Sequence, residues 1–595
     1  MEQLRALLAE LGVSESEMTR DARLRAHLAL DSTETVELQN RLAKRYGVAV
    51  DLWDVHDFTL GELSDRISRS FPVARVPVGR ATEYARSGLW GDRRVDELVL
   101  HPGVQDEALV SGERRLTHAQ LHDAVVAAAA KLAARGVQRG DRVIVQLPND
   151  VELVVLTLAL SRLGAPPILT PVSLRRAELE HLVRVANPVA IAVPDRYARF
   201  DHLGLARELG VRTILSTGAD DVVDLVELCA PEPGLSGPTA TAEDVAVCLL
   251  SSGTTGRPKI IPRLQQAYAY QLTCTPDVAG VDQDTVYLAV MPVTHGFVLG
   301  CPGVLGTLAR GGRVVLGTSP EPGPAFELVE RERVTHTTLV PALVERWAAT
   351  GTSRDISSLS VVQVGGARPR RGQVEDVPKV LGARVQQCYG MSEGLLCYTA
   401  LDDPDDVVFD TQGRPVSPAD EIRIVGGDGK QVRPGEVGEL LTRGPYTVAG
   451  YYADPAADST CFTHDGFYRT GDLVRETPSG SLVVEGRVRD VINRGGEKIA
   501  AAELDLLAAE HPDVLAAAAV AAPHPKLGEV TCLFVVPREH PGPDLDDLRT
   551  YLADQGLARY KLPERLEVVD ALPYIGIGKV DKKALRARFR TDDRS

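Results

Sequence analysis

From Ser251 to Lys259 the chain reads "SSGTTGRPK", six small or hydroxylated residues and then, past Arg257 and Pro258, a lysine. Gly253 and Gly256 let backbone N–H groups turn inward toward an oxygen; Ser251, Ser252, Thr254 and Thr255 add hydroxyl donors, and Lys259 adds charge. Such a loop suits a polyanion. Its spacing is not that of the usual nucleotide loop, which has four residues between its glycines and ends in Gly-Lys-Ser/Thr, so alone it reads equally well as a plain surface loop. Four other segments hold residues that do chemistry. "QQCYGMSEG" puts Glu393 just past a strand-to-turn transition, "YRTGDL" puts Asp472 in a turn, and "GRVRDVINRGGEKI" gathers Arg487, Asp490, Arg494 and Lys498. "LPYIGIGKVDKK" sets Lys579 on an exposed, glycine-flanked loop. Singly, each is also an ordinary solvated turn or surface charge.

The elements that must position these residues follow from pattern. At 595 residues the chain exceeds what one core organises, so several domains are expected. Residues 1–72 read as a small helical unit, expected to have four helices. Residues 73–94, with prolines, glycines and scattered charge but no period, read as a linker and the start of the next domain. Residues 95–489 form a large α/β unit in which runs such as "DRVIVQL", "TVYLAVMP" and "SVVQVGG" alternate with helical runs such as "LHDAVVAAAAKLAARGV", the pattern of largely parallel sheets covered by helices. After about residue 400 strands dominate, and a β-barrel-like subdomain is expected there. Residues 490–595 read as a small, mobile α+β unit. The alanine runs fit helices.

A net charge of −16 argues against nucleic acid as the main partner. The eight cysteines show no C-x-x-C pair or metal spacing, which fits a reducing, cytoplasmic setting. The most apolar helical stretch, "VELVVLTLALSRLGAPP", is too short and too interrupted to span a bilayer.

The five motifs, in this order, resemble the adenylate-forming superfamily of acyl-CoA synthetases, peptide-synthetase adenylation domains and luciferases, across roughly residues 75–590. Within it, "VIVQLPNDVEL", "IIPR", "TVYLAVMPVTHGF", "LTRGPYTVAGYY" and "DGFYRTGDLVR" are most similar to aryl-acid adenylating enzymes of siderophore and antibiotic pathways, of the 2,3-dihydroxybenzoate or salicylate type. The resemblance implies that the 251–259 loop holds the β- and γ-phosphates of ATP while a carboxylate attacks the α-phosphorus. It further implies that Glu393 binds Mg²⁺, that Asp472 accepts from the ribose hydroxyls and that Arg487 supports ribose or phosphate. By the same likeness Gly365, Gly366 and Ala367 lie against adenine, Tyr389 stacks on it, and Gly390 and Met391 line the nucleotide. Lys579 is the catalytic lysine, carried in by a domain that rotates about Asp490. Ile575 stands where the family often has threonine.

In dihydroxybenzoate-activating relatives the acyl pocket carries His-Asn-Tyr/Phe; here it reads His295, Gly296, Phe297, with Cys301 beyond. His295 is assigned a catalytic as well as a pocket role. The lost asparagine amide removes a partner for an ortho-hydroxyl, so the expected substrate is a salicylate-like, amino-substituted or heteroaromatic acid rather than 2,3-dihydroxybenzoate. At the N-terminus, "LALDSTETVEL" places Asp31 and Ser32 before a helical run, an ordinary N-cap on its own. Residues 1–70 resemble an acyl or aryl carrier domain. That likeness implies 4′-phosphopantetheine on Ser32, installed by a phosphopantetheinyl transferase, with acyl transfer to this thiol or to that of a separate chain. Thr33 replaces the more usual leucine. Competing readings are an aryl-CoA ligase with a structural appendage and a non-catalytic carrier or docking scaffold.

Overall fold

The computed structural model describes residues 2–14, 17–46, 50, 52–53, 56–69, 76–217, 219, 221–237, 239–251, 258–494, 497–524, 527–555, 557, 559–575 and 578–590. Helices α1 (Glu2–Glu10), α2 (Ser32–Tyr46) and α3 (Leu60–Arg69) enclose their own apolar core, with Leu4, Leu7, Leu8, Leu38, Leu42 and Leu63 all fully buried. Three helices, not four, stand among the described residues of this unit. The start of α2 is fixed by a reciprocal cap: Asp31 Oδ1 accepts from the Thr33 and Glu34 amides at 2.7 Å each, and Glu34 Oε2 accepts from the Asp31 amide at 2.9 Å.

The stretch expected to link the domains carries a fourth helix, α4 (Val78–Arg86), and buries Tyr84 and Trp90. Trp90 Nε1 donates to the Pro445 carbonyl at 2.8 Å, and Arg80 pairs with Glu421 at 2.9 Å. Two aromatic anchors hold this segment to the large domain, and so sparse a contact set leaves no period in the sequence.

The large domain has two mainly parallel sheets. In the nine-stranded sheet the strands Glu107–Ser111, Arg313–Leu316, Val286–Ala289, His336–Leu339, Val361–Gly365 and Arg384–Gly390 run parallel, with antiparallel strands at both edges. The seven-stranded sheet is parallel from Val245–Ser251 onward and antiparallel only where that strand meets Lys259–Leu264. Helices His118–Ala134 and Val151–Leu163 share one core with residues of both sheets. All of Val151–Leu163 except Arg162 is buried, so its apolar run fills a protein interior. Among the described residues no helix is long and apolar enough to cross a membrane.

Where a barrel-like subdomain was expected, the strands Glu421–Val425, Gly438–Arg443, Tyr468–Glu476 and Leu482–Arg487 form an open four-stranded antiparallel meander. The last domain packs helices Ala501–Ala509 and Leu545–Asp554 on a sheet. Its alanine-rich run, "VLAAAAVAAPH", is a strand over Val514–His524, against the helix that alanine favours. It pairs antiparallel with Gly528–Pro537 over its length, and tertiary pairing overrides propensity. All eight cysteines are free.

Trp90→Ala should destabilise the large domain by about 3–5 kcal/mol, through a cavity and an orphaned carbonyl. A urea midpoint unchanged from that of the parent would show that the segment adds nothing to the core.

Candidate active site

The pairing of Tyr468–Glu476 with Leu482–Arg487 sets Asp472 directly opposite Arg487. Arg487 Nε lies 2.8 Å from Asp472 Oδ1, and the Tyr389 phenol donates to Oδ2 at 2.8 Å. Asp472 thus lies within a strand, just past Gly471, and not in the expected turn. It is 5% exposed. Its carboxylate pushes the Arg487 pKa up, and burial followed by the same charge pushes the Tyr389 phenol well above its usual range. The three side chains form one knot at the carboxyl end of the parallel strand Arg384–Gly390, where open α/β sheets bind ligands.

Glu393 follows in the turn after that strand and is buried; its Oε1 accepts from the Tyr451 hydroxyl at 2.9 Å, and its backbone carbonyl accepts from the Val448 amide at 2.7 Å. Lys259 pairs with Ser251 across the hairpin whose tip is the glycine- and threonine-rich loop. Ser252, Gly253, Thr254, Thr255 and Gly256 lie outside the described residues. The Lys259 ammonium sits 4.5 Å above the Tyr451 ring centroid and 3.8 Å from Cys461 Sγ.

Lys579 enters from the C-terminal domain on the short strand Lys579–Val580, paired with Tyr574–Ile575. Lys579 is exposed as a residue, yet desolvation first and Arg487 second lower its pKa, while Asp472 and Glu393 pull it upward. Arg370 of the large domain donates to the Ala509 carbonyl of the C-terminal domain at 2.8 Å, fixing the two in this arrangement. Asp490, in the turn Val488–Asp490 between them, accepts from both terminal nitrogens of Arg586 at 3.2 Å.

His295 caps the short helix Gly296–Gly300, its Nδ1 accepting from the Phe297 amide at 3.2 Å, so the neutral ring carries its proton on Nε2. Burial first and the Lys579 charge second push this imidazole down to about 4. A Cβ on Gly365 would lie 2.5 Å from the Cys388 carbonyl and 2.8 Å from Phe297 Cζ, so only glycine lets that strand end approach the phenyl ring. At Gly296 a Cβ would meet Leu249 Cδ1 at 3.0 Å and Ser392 Oγ at 3.5 Å. The room that glycine frees is therefore partly taken by Leu249. The Cys301 thiol, pushed up to about 12 by burial, donates to the Gly296 carbonyl at 3.3 Å.

The structure brings together Glu393, Tyr389, Asp472, Arg487 and Lys579 on one side and His295, Gly296, Phe297, Cys301 and Gly365 on another. Beside the first group, Gly390 is exposed and Met391 half-buried; Gly366 (φ +83°) and the exposed Ala367 continue from Gly365. Ser32 belongs to the separate N-terminal unit and is exposed. Sequence reasoning assigned no role to Arg263 or Tyr451. Arg263, 2% exposed, reaches the Ser392 carbonyl at 2.5 Å, Gln271 Oε1 at 2.6 Å and the Tyr446 carbonyl at 2.9 Å. Its signal was a charged residue inside the apolar strand "KIIPRL".

Comparison with known proteins agrees with this geometry. A family model described as AMP-binding enzyme matches residues 99–452, one for the AMP-binding enzyme C-terminal domain matches 503–579, and one for a phosphopantetheine attachment site matches 2–67. The chain is 46% identical to 2-hydroxy-7-methoxy-5-methyl-1-naphthoate–CoA ligase of Streptomyces carzinostaticus, over 85% of this chain and 95% of that one. It is 43% identical to 2,3-dihydroxybenzoate-AMP ligase of Bacillus subtilis (strain 168), over 85% and 95%. With salicyl-AMP ligase / salicyl-S-ArCP synthetase of Mycobacterium tuberculosis it shares 40% identity over 86% and 93%. Among solved structures, apo MbtA of Mycobacterium smegmatis is 40% identical with a TM-score of 0.67, covering 87% of this chain and 98% of that one. Domain matches, relatives and cleft agree: the chain belongs to the AMP-binding enzyme family and carries a phosphopantetheine attachment domain ahead of the enzyme domains.

Proposed function

We propose that this ATP-using ligase activates an aromatic carboxylic acid as its acyl-adenylate and passes the acyl group to a phosphopantetheine thiol. The observation that carries the reading is that Lys579, on a strand of the C-terminal domain, lies within electrostatic reach of Arg487, Asp472 and Glu393 of the large domain. In the first step a carboxylate oxygen of the acid bonds to the α-phosphorus as the bond from that phosphorus to the pyrophosphate oxygen breaks. Both reagents are anionic, so the protein's task is to align them and offset their repulsion. Lys579 does this at the transferring group, where a fixed cation acts most strongly on developing charge. Asp472, oriented by Arg487 and Tyr389, accepts from the ribose hydroxyls. The Tyr389 ring, Gly365, Gly366, Ala367, Gly390 and Met391 flank the base. Lys259 and the 251–256 loop take the β- and γ-phosphates.

Glu393 fits a Mg²⁺ ligand. It is a buried carboxylate held by neutral hydroxyls, and the described residues contain no cluster of three His, Cys, Asp or Glu, so such an ion would take its other ligands from phosphate and water, as Mg²⁺ commonly does. When bound, the ion would offset phosphate charge.

His295 and Phe297 would flank the acid, with Cys301 and Gly296 beneath it. Relatives named for naphthoate, salicylate and 2,3-dihydroxybenzoate support an aryl acid. Gly296 offers no amide to an ortho-hydroxyl, which favours salicylate-like, amino-hydroxybenzoate or heteroaryl acids over 2,3-dihydroxybenzoate. After adenylation the domain from residue 490 to 595 would rotate about Asp490, withdrawing Lys579 from the domain spanning 95–489. Residues 1–72 would act as a helical carrier joined through 73–94, and Ser32 would receive phosphopantetheine from a cytoplasmic transferase. Asp31 supplies the cap, so the exposed Ser32 hydroxyl is not needed for it.

Exchange of pyrophosphate into ATP should depend on an aryl acid and fall at least about 100-fold in Lys579→Ala; a panel of benzoates, aminobenzoates and picolinates that supports no exchange would refute the reading, and a preference for 2,3-dihydroxybenzoate would refute the Gly296 argument. Treatment with a phosphopantetheinyl transferase and coenzyme A should add one phosphopantetheine to the intact mass of the parent and none to Ser32→Ala; a parent that stays unmodified while exchange proceeds favours a CoA ligase. His295 titrates near 4 when folded and near 6.5 when unfolded, so the unfolded chain binds the extra proton and stability is lost as pH falls from 6.5 toward 4. His295→Gln should therefore lose less melting temperature than the parent between pH 7 and 4.5, and equal losses would place the imidazole's titration elsewhere.

A further inference from the structure

One side chain touches both of the groups assigned to the triphosphate and its counter-ion. Tyr451, 3% exposed, donates its hydroxyl to Glu393 Oε1 at 2.9 Å and meets the Tyr468 hydroxyl at 3.2 Å, while its ring face lies 4.5 Å beneath the Lys259 ammonium. Its own position is set from the backbone outward. Its amide donates to Asp458 Oδ1 at 2.7 Å, the next amide donates to the Ile260 carbonyl at 2.9 Å, and Phe462 packs edge-on against its ring. The segment leading to it is tied to the same target, since the Val448 amide donates to the Glu393 carbonyl and the Tyr446 carbonyl accepts from Arg263. Lys259 and Glu393 come from different sheets and have no direct bond to fix their separation; Tyr451 spans that gap with a cation–π face and a charge-assisted hydrogen bond.

We propose that Tyr451 is a positioning residue for adenylation, setting the spacing of Lys259 and Glu393 so that the triphosphate and a divalent cation are met at one fixed separation. The proposal rests on the nucleotide reading of the site given above.

Three variants separate its two contacts from mere packing. Tyr451→Phe keeps the ring under Lys259 and removes the hydroxyl, Tyr451→Leu removes both, and Phe462→Leu disturbs the neighbouring ring while touching neither Lys259 nor Glu393. Calorimetric binding of a non-hydrolysable ATP analogue, with and without Mg²⁺, reads the nucleotide contact and the gain that Mg²⁺ provides. Tyr451→Phe should cut that gain roughly tenfold, the scale of one hydrogen bond to a charged group, and leave metal-free binding unchanged. Tyr451→Leu should also weaken metal-free binding several-fold, as a lost cation–π contact does. Phe462→Leu should match the parent in both. An unchanged Mg²⁺ gain in Tyr451→Phe overturns the proposal, as does the same loss in Phe462→Leu. Should Tyr451→Leu fail to fold, the pair Tyr451→Phe and Phe462→Leu still decides it. Acid-dependent pyrophosphate exchange by the parent tests the underlying reading separately: no exchange with intact Mg²⁺-assisted binding sinks that reading alone, whereas exchange with no Tyr451→Phe effect sinks this proposal alone.

Discussion

Repulsion between a carboxylate and a triphosphate is the constraint around which this molecule is arranged. Overall the chain is strongly acidic, with a net charge of −16, so the positive field that the reaction needs must be built locally. On the proposed reading it would come from side chains delivered by separate elements: Lys259 from the strand Lys259–Leu264, Arg487 from the end of the meander, and Lys579 from the last domain. Each of the three is partnered in a way that leaves its charge available. Arg487 is shared with one carboxylate that also answers to Tyr389, Lys259 rests on an aromatic face, and among the described residues Lys579 has no ion pair within salt-bridge distance.

The turn that carries Glu393 is held from several sides. Glu393 is held through its carboxylate, its carbonyl and the carbonyl of the residue before it, by Tyr451, Val448 and Arg263. Burying an arginine whose partners are carbonyl and amide oxygens and the Tyr268 ring, with no carboxylate bonded to it among the described residues, costs stability, and desolvation lowers its pKa. What the fold gains is a single geometry for the turn that carries Glu393. At the N-terminal end, anchoring Tyr84 and Trp90 fixes where the carrier's tether begins. Only seven residue steps separate Arg69 from Val76, a reach of at most about 25 Å, so any thiol on Ser32 explores a limited volume and its effective concentration is set by that anchor.

The chemistry was more legible in the sequence than the architecture. Glu393, Asp472, Arg487 and Lys579 stood out because the five segments, taken in order, resemble the adenylate-forming superfamily, whereas singly each reads as an ordinary solvated turn or surface charge. Asp472 was nevertheless set in a turn, because "RTGD" has turn composition while the cross-strand partner Arg487, fifteen residues on, is invisible to local pattern. The alanine run at 516–519 was set with helices for the same reason: its strand is imposed by Leu533, Phe534, Val535 and Val536 opposite. Trp90 and Tyr451 carry no periodic signal at all, since each acts through contacts with residues far away in the sequence. Arg263 did leave a trace, a charge in the middle of an apolar strand, but its meaning depends on three acceptors spread between residues 271 and 446.

The acyl pocket shows why a substitution read from sequence gives the sign of an effect before its size. Removing an amide side chain at position 296 removes a donor whatever else surrounds it, so loss of selectivity for an ortho-hydroxyl follows from chemistry alone. Added volume does not follow, because Leu249 Cδ1 lies 3.0 Å from where the missing Cβ would stand. Leu249 belongs to the strand that leads into the phosphate loop, so a bulkier acid pressing on it would push on the element that carries Ser251. On the proposed reading, ring size and triphosphate placement would be coupled through Leu249, and a larger acid would gain room at Gly296 only as far as that strand yields.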